Sequence, residues 1–252
     1  MNTLFRIFLL FLSLGLVSFS ATRGNVKIIE ASENIRYLSQ KIVKDYLLYY
    51  QYPQRREIKQ KLKKELEELG ENFRVIAVTS KDTDTKDVLE FLAYNKEQME
   101  EIFNQKSNFE TASLIIDYSE TLLEGVDSIA DGYKYEFSKE EKMLMAIKQI
   151  EYLLERIIKY YMVLHTGFNN TVNKELLNEA MLKFEEKLLL LENYHYPYAL
   201  GVERAKIIKY WKENKKIIHK SETLFIPILL FSSIEYLEIL VDKLALYHSK
   251  NQ

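Results

Sequence analysis

The stretch Asn34-Ile35-Arg36-Tyr37-Leu38-Ser39-Gln40-Lys41-Ile42-Val43-Lys44-Asp45-Tyr46 returns, 115 residues later and without a gap, as Gln149-Ile150-Glu151-Tyr152-Leu153-Leu154-Glu155-Arg156-Ile157-Ile158-Lys159-Tyr160-Tyr161. The same shift carries Leu62, Leu66, Leu69, Phe73 and Ile76 onto Leu177, Met181, Phe184, Leu188 and Leu191. It also carries Glu120, Leu122, Val126 and Asp127 onto Glu235, Leu237, Val241 and Asp242. Self-similarity at a fixed spacing sets the domain plan before any single residue is read, so two units are expected, over 25–136 and 138–250. The copies differ most usefully at one position, where Arg36 of the first is Glu151 of the second. A functional group on this motif is therefore expected in one copy only.

Around the quoted stretch, Ile28, Ile29, Ile35, Leu38, Ile42, Tyr46 and Tyr49 stand mostly three or four apart, which predicts an amphipathic helix over 25–51. Pro53 marks a turn. Ile58, Leu62, Leu66, Leu69, Phe73 and Ile76 predict a second helix over 54–78, broken by the polar run Ser80 to Thr85. A third is expected over 86–105, and a fourth from a capping box of Ser107 with Glu110 to about Tyr133. Ser138 with Glu141 makes another such box, and the second unit reads as helices over 139–167, 173–194, 200–219 and 223–249. Pro227 is tolerated in the first turns of the last. The fold class is therefore all-α. Four amphipathic helices joined by short loops cover one another most simply as an antiparallel four-helix bundle, so two tandem bundles, or one elongated eight-helix body, are expected.

Composition narrows the function classes. The chain has 252 residues, a net charge of -2 and seven glycines and three prolines, so it carries no basic footprint for nucleic acid and favours helix throughout. Arg6 followed by an apolar run to Val17, with small residues Ser18 and Ser20, predicts a signal peptide over 1–20. Export without any cysteine fits a periplasmic protein that needs no disulfides. Leu224 to Ile234 is apolar nearly all round, yet it ends at Glu235 after eleven residues and reads as a core helix rather than a membrane span.

The motif at Asn34 to Tyr46 resembles the first-helix signature of the NarX/PilJ-type periplasmic sensor domain, found in nitrate/nitrite sensor kinases and in methyl-accepting transducers linked to type IV pili. That signature runs Gly-Arg-Gln-Arg-Met-Leu-Ser-Gln-Arg, an apolar residue, Ala-Lys and then an aromatic. Arg36, Leu38, Ser39, Gln40, Lys44 and Tyr46 match it, and Lys41 stands for the last Arg. Glu33, Asn34 and Tyr37 depart from its Gly, first Arg and Met. The resemblance implies a four-helix bundle and a symmetric homodimer through helix one. It also implies that the signature arginine, here Arg36, binds a small oxyanion such as nitrate or nitrite. Such domains feed a sensor kinase or a chemotaxis transducer, which here would be a separate partner.

The residues allow this chemistry on their own account. Arg36 and Gln40 lie four apart on one helical face with Ser39 beside them, and a guanidinium is a planar fork of donors suited to an oxyanion. The alternative is an Arg36 paired with Glu33 or Gln40 and binding nothing. Glu192 and His195 have the Glu-x-x-His spacing of di-iron bundles, but no second such pair exists and no metal or other cofactor is expected. Without a phosphate loop or a nucleophile elbow, the chain reads as no enzyme. A soluble sensory module is the first expectation, and a helical scaffold or adaptor that binds no ligand is the second.

Overall fold

The computed structural model describes residues 2–220 and 225–251, the side chains of 2–22 excepted. The expected leader, 1–20, falls in the stretch whose side chains lie outside the described residues. Among the described residues the chain is all-α, with helices α1 (Asn2–Gln51), α2 (Arg56–Thr79), α3 (Thr83–Phe103), α4 (Phe109–Asp131), α5 (Lys139–His165), α6 (Thr171–Asn193), α7 (Tyr198–His219) and α8 (Pro227–Lys250). In the first unit α1 packs on α2 and α4, and α3 on α2 and α4, closing a ring of four. In the second α5 packs on α6 and α8, and α7 on α8 with a slighter contact to α6. The two rings share one seam, α1 against α5, and one continuous apolar core.

The helix ends follow local chemistry. Asp82 caps α3 by accepting from the Thr85 N–H at 2.8 Å and from its hydroxyl at 2.7 Å, so that helix starts at Thr83, inside the polar run expected to be loop. The expected box at Ser107 and Glu110 is displaced by one residue. Asn108 accepts from the Thr111 N–H at 2.9 Å and the Thr111 hydroxyl accepts from the Asn108 N–H at 2.9 Å, because a short Asn side chain caps as well as Ser and Thr111 can answer it. Ser138 and Glu141 form the second box as read from the sequence, and Pro227 opens α8. Gly167, at φ +107, supplies the left-handed turn after α5.

Both units close one end in the same way. Tyr133, at the end of α4, meets the hydroxyls of Ser80 at 2.5 Å and Thr85 at 3.0 Å. Its counterpart 115 residues on is His248, buried and bonded through Nδ1 to Glu140 at 2.6 Å and through Nε2 to Tyr196 at 2.9 Å. A ring at one repeat position thus ties the last helix of each unit to the loop between its second and third.

Burial separates the central helices from the outer ones. Along α2 only the stripe Ile58, Leu62, Glu65, Leu66, Leu69, Phe73 and Ile76 is buried. In α1 every residue from Leu38 to Leu48 except Lys41 is buried, and in α5 every residue from Leu153 to Val163. A helix covered by neighbours on all sides must bury whatever its sequence carries. Here that includes Ser39, Gln40, Lys44 and Asp45 on α1 and Glu155, Arg156 and Lys159 on α5.

Candidate functional site

Helices α1 and α5 lie parallel and in register. Lys148 donates to the Asn34 amide oxygen at 3.0 Å, while Gln149 reaches Glu33 at 3.5 Å. Across the repeat these are one contact seen twice with the roles exchanged, the mark of a two-fold relation between the units. Further along, Arg156 donates to Gln40 at 3.1 Å and Lys44 lies 2.8 Å from the Glu155 carboxylate. The seam is therefore a pseudo-symmetric dimer interface inside one chain, filled with charge.

On the flank facing α4 the charges are paired. The Arg36 side chain, 17% exposed, donates through Nε to Asp127 and through Nη1 to Glu33, both at 2.5 Å. Arg156 grips Glu120 with two parallel bonds of 3.0 and 2.9 Å, and Lys159 bonds the same carboxylate. Burial alone would raise the Glu120 carboxyl, but Lys159 and Arg156 together hold it down at about 2. Burial in turn pushes Lys159 down to about 8 in spite of Glu120.

On the flank facing α8 carboxyl groups meet carboxyl groups. Burial, and then the neighbouring charge of Asp242, push Glu151 up to about 8. Burial and Glu155 push Glu238 up to about 9. Between α1 and α2, burial and Asp45 push Glu65 to about 9, while Asp45, itself held low by Lys44 and Lys61, keeps Lys61 at 2.8 Å. Neither oxygen of Glu65 meets a donor, so a proton shared with Asp45 is what lets the two sit together.

Sequence reasoning singled out Arg36, Ser39 and Gln40. All three lie along the seam, but they do not converge on one open space. Ser39 is fully buried and donates to the Arg36 carbonyl at 2.8 Å. Gln40, also fully buried, donates to Ser39 at 2.9 Å and accepts from Arg156. The Arg36–Glu33 pairing is the alternative partner the sequence offered. Asp127, its other partner, stands in the repeat match but carried no role there. Sequence reasoning also missed Lys44, Glu155, Arg156, Glu120 and Lys159. Their signal was charge inside otherwise apolar runs such as Ile42-Val43-Lys44-Asp45-Tyr46-Leu47.

Glu192 and His195 are both exposed, and among the described residues no three His, Cys, Asp or Glu side chains are grouped to hold a metal ion. No helix among the described residues is long and apolar enough to cross a membrane. No family model, characterised protein or solved structure matches the chain. What the seam offers chemically is a set of fixed, mostly desolvated charges in which a ligand could exchange with an internal partner.

Proposed function

We propose that this protein is a ligand-reading sensory module of the periplasm, with the α1/α5 seam in the role that a dimer interface plays between separate four-helix units, and that it passes its state to a separate partner protein. The observation carrying this proposal is the in-register pairing of α1 and α5, with Asn34–Lys148 and Glu33–Gln149 as exchanged copies of one contact. Two rigid bundles meeting at a charged seam form a two-state element, because a ligand that changes the charge balance changes the preferred packing. The resemblance of Asn34 to Tyr46 to the NarX/PilJ-type signature supports the same proposal. It names a small oxyanion at Arg36 as the ligand to try first.

At Arg36 an oxyanion would act by exchange. Asp127 is the replaceable partner, since its side chain is 48% exposed whereas that of Glu33 is 4% exposed. Release of Asp127 would loosen α4 from α1. Thermal unfolding in nitrate, nitrite and chloride at matched ionic strength tests this, because a ligand of the folded state raises its apparent stability. Stabilisation by nitrate or nitrite beyond chloride, lost in Arg36→Ala, is the expected result. A flat response across the panel favours the scaffold, which the complete internal bonding of Ser39 and Gln40 also suits.

A further inference from the structure

The flank of the seam opposite Arg36 opens as a half-enclosed cavity of about 500 Å³ between α1, α5 and α8, within the roughly 300–1,000 Å³ of small-molecule sites. Five carboxyl groups line it, from Glu33, Glu151, Glu235, Glu238 and Asp242, against the ammonium groups of Lys41 and Lys148. Both lysines donate to neutral oxygens, Lys41 to the Tyr37 hydroxyl at 2.6 Å and Lys148 to Asn34 at 3.0 Å. The Glu33 side chain, which borders the cavity, is 4% exposed and its Oε2 meets no donor. A buried carboxylate oxygen without a donor carries a desolvation cost that a cationic ligand would remove.

The repeat identifies what is missing. Asp127 and Asp242 occupy one repeat position, and so do Arg36 and Glu151. In the first unit the guanidinium of Arg36 spans Asp127 and Glu33. In the second, Asp242 meets Glu151, Lys148 stands at the repeat position of Glu33, and all three border the cavity. We propose that this cavity binds a small organic cation carrying a guanidinium or ammonium group, held by Asp242, Glu151 and Glu33 much as Asp127 and Glu33 hold Arg36. A bidentate grip of guanidinium on carboxylate is the chemistry available. A bare metal ion is disfavoured, since a hard divalent cation needs about six or more close oxygens and the carboxyl groups here are spread along a groove with no three grouped for one ion.

The raised carboxyls fit this assignment. With no cation present, burial and Asp242 keep a proton on Glu151 up to about pH 8, with Lys148 on its own helix and Lys41 on α1 the cations facing it. A bound cation takes over the role of that proton and expels it, so binding releases protons and strengthens as pH rises toward 8. The site shares Glu33 with the oxyanion reading but has the opposite charge, and its other two carboxylates, Asp242 and Glu151, lie away from Arg36.

Calorimetric titration of the protein with agmatine at pH 8 and low salt tests the proposal. Saturable one-to-one binding is expected, weakened by salt and accompanied by proton release in buffers of different ionisation enthalpy. Asp242→Asn should weaken it about tenfold or more. Glu151→Arg should abolish it, because the new guanidinium fills the cavity as Arg36 fills its own place. Circular dichroism establishes that each variant is folded, and Glu33→Gln replaces Glu151→Arg if the latter is not. No binding of agmatine or putrescine at millimolar concentration overturns the proposal, as does binding that these variants leave unchanged or that equimolar magnesium displaces. The nitrate experiment at Arg36 reads neither outcome, so the two can fail separately.

Discussion

The two flanks of the α1/α5 seam start from the same repeat positions and reach opposite electrostatic solutions. Facing α4, Arg36 and Arg156 meet Asp127, Glu33 and Glu120, and every carboxylate has a cation. Facing α8, the position of Arg36 holds Glu151 and that of Arg156 holds Lys41, which turns to Tyr37, so Asp242 faces a carboxyl group instead of a guanidinium. One substitution between the copies, Arg to Glu, converts an ion pair into a carboxyl pair in which burial and Asp242 favour a proton on Glu151. Duplication thus provides what a symmetric dimer cannot. One flank can be locked while the other remains open to chemistry.

The largest effect should come from the buried cation that Lys44 places between α1 and α5. Lys44→Ala leaves Glu155, fully buried, without its cation and facing Glu238. Removing one partner of a buried pair costs about 3–5 kcal/mol, to be read as a lower urea midpoint. A loss below about 1 kcal/mol would mean that the seam is open to water and that the contrast between flanks is of little weight. Arg36→Ala should cost less, about 1.5–3 kcal/mol, because only Glu33 among its partners is deeply buried. Glu151→Ala, at the same repeat position, should raise stability at pH 8. If both alanine variants destabilise equally, the flanks are not electrostatic opposites.

The fold was legible because its outer helices carry clean stripes. Ile58, Leu62, Leu66, Leu69, Phe73 and Ile76 point one way and the lysines and glutamates of α2, Glu65 excepted, the other, and the repeat showed that a second unit does the same. The site was legible only in part. A stripe tells which face is buried when one face is, but α1 and α5 are enclosed on every side, and no periodicity marks Lys44 or Glu155 as interior. The match of Glu120 with Glu235 was visible, while the partners that make them different lie on other helices, at sequence separations of 36 and 39 for Arg156 and Lys159. The two capping boxes were read to within one position, since Ser107 and Asn108 offer the same oxygen chemistry, whereas the Asp82 cap of α3 lay hidden in a polar run read as loop.

The pH dependence of stability sharpens the comparison further. Glu151 folds with its carboxyl raised from its ordinary 4.5 to about 8, so between those values the folded state holds a proton that the unfolded chain has lost. Its contribution is greatest below about pH 4.5 and falls as pH rises toward 8. Glu65 and Glu238, at about 9, act in the same direction. Glu120, held down at about 2, opposes them only in acid, where stability falls as pH drops from 4.5 toward 2. Stability should therefore peak near about pH 5 and decline into mild alkali as Glu151, and above it Glu65 and Glu238, lose their protons. Glu151→Gln should flatten that decline, whereas Glu120→Gln should remove the acid limb.

The smallest effect should come from a pair outside the seam. Lys183 and Glu179 stand 2.6 Å apart on α6 at the i,i+4 spacing, closer than Lys44 is to Glu155, with both side chains more than half exposed. Water screens such a pair, and ordering two long side chains offsets much of the attraction, so exposed pairs are worth about 0.2–1 kcal/mol and helical ones about 0.3–0.5. Lys183→Ala should accordingly shift the urea midpoint by about 0.5 kcal/mol or less, and the shift should shrink further in high salt, while that of Lys44→Ala should persist. A cost for Lys183→Ala comparable to that of Lys44→Ala would mean that the number of ion pairs, rather than their enclosure between α1 and α5, sets the electrostatic contribution to this fold.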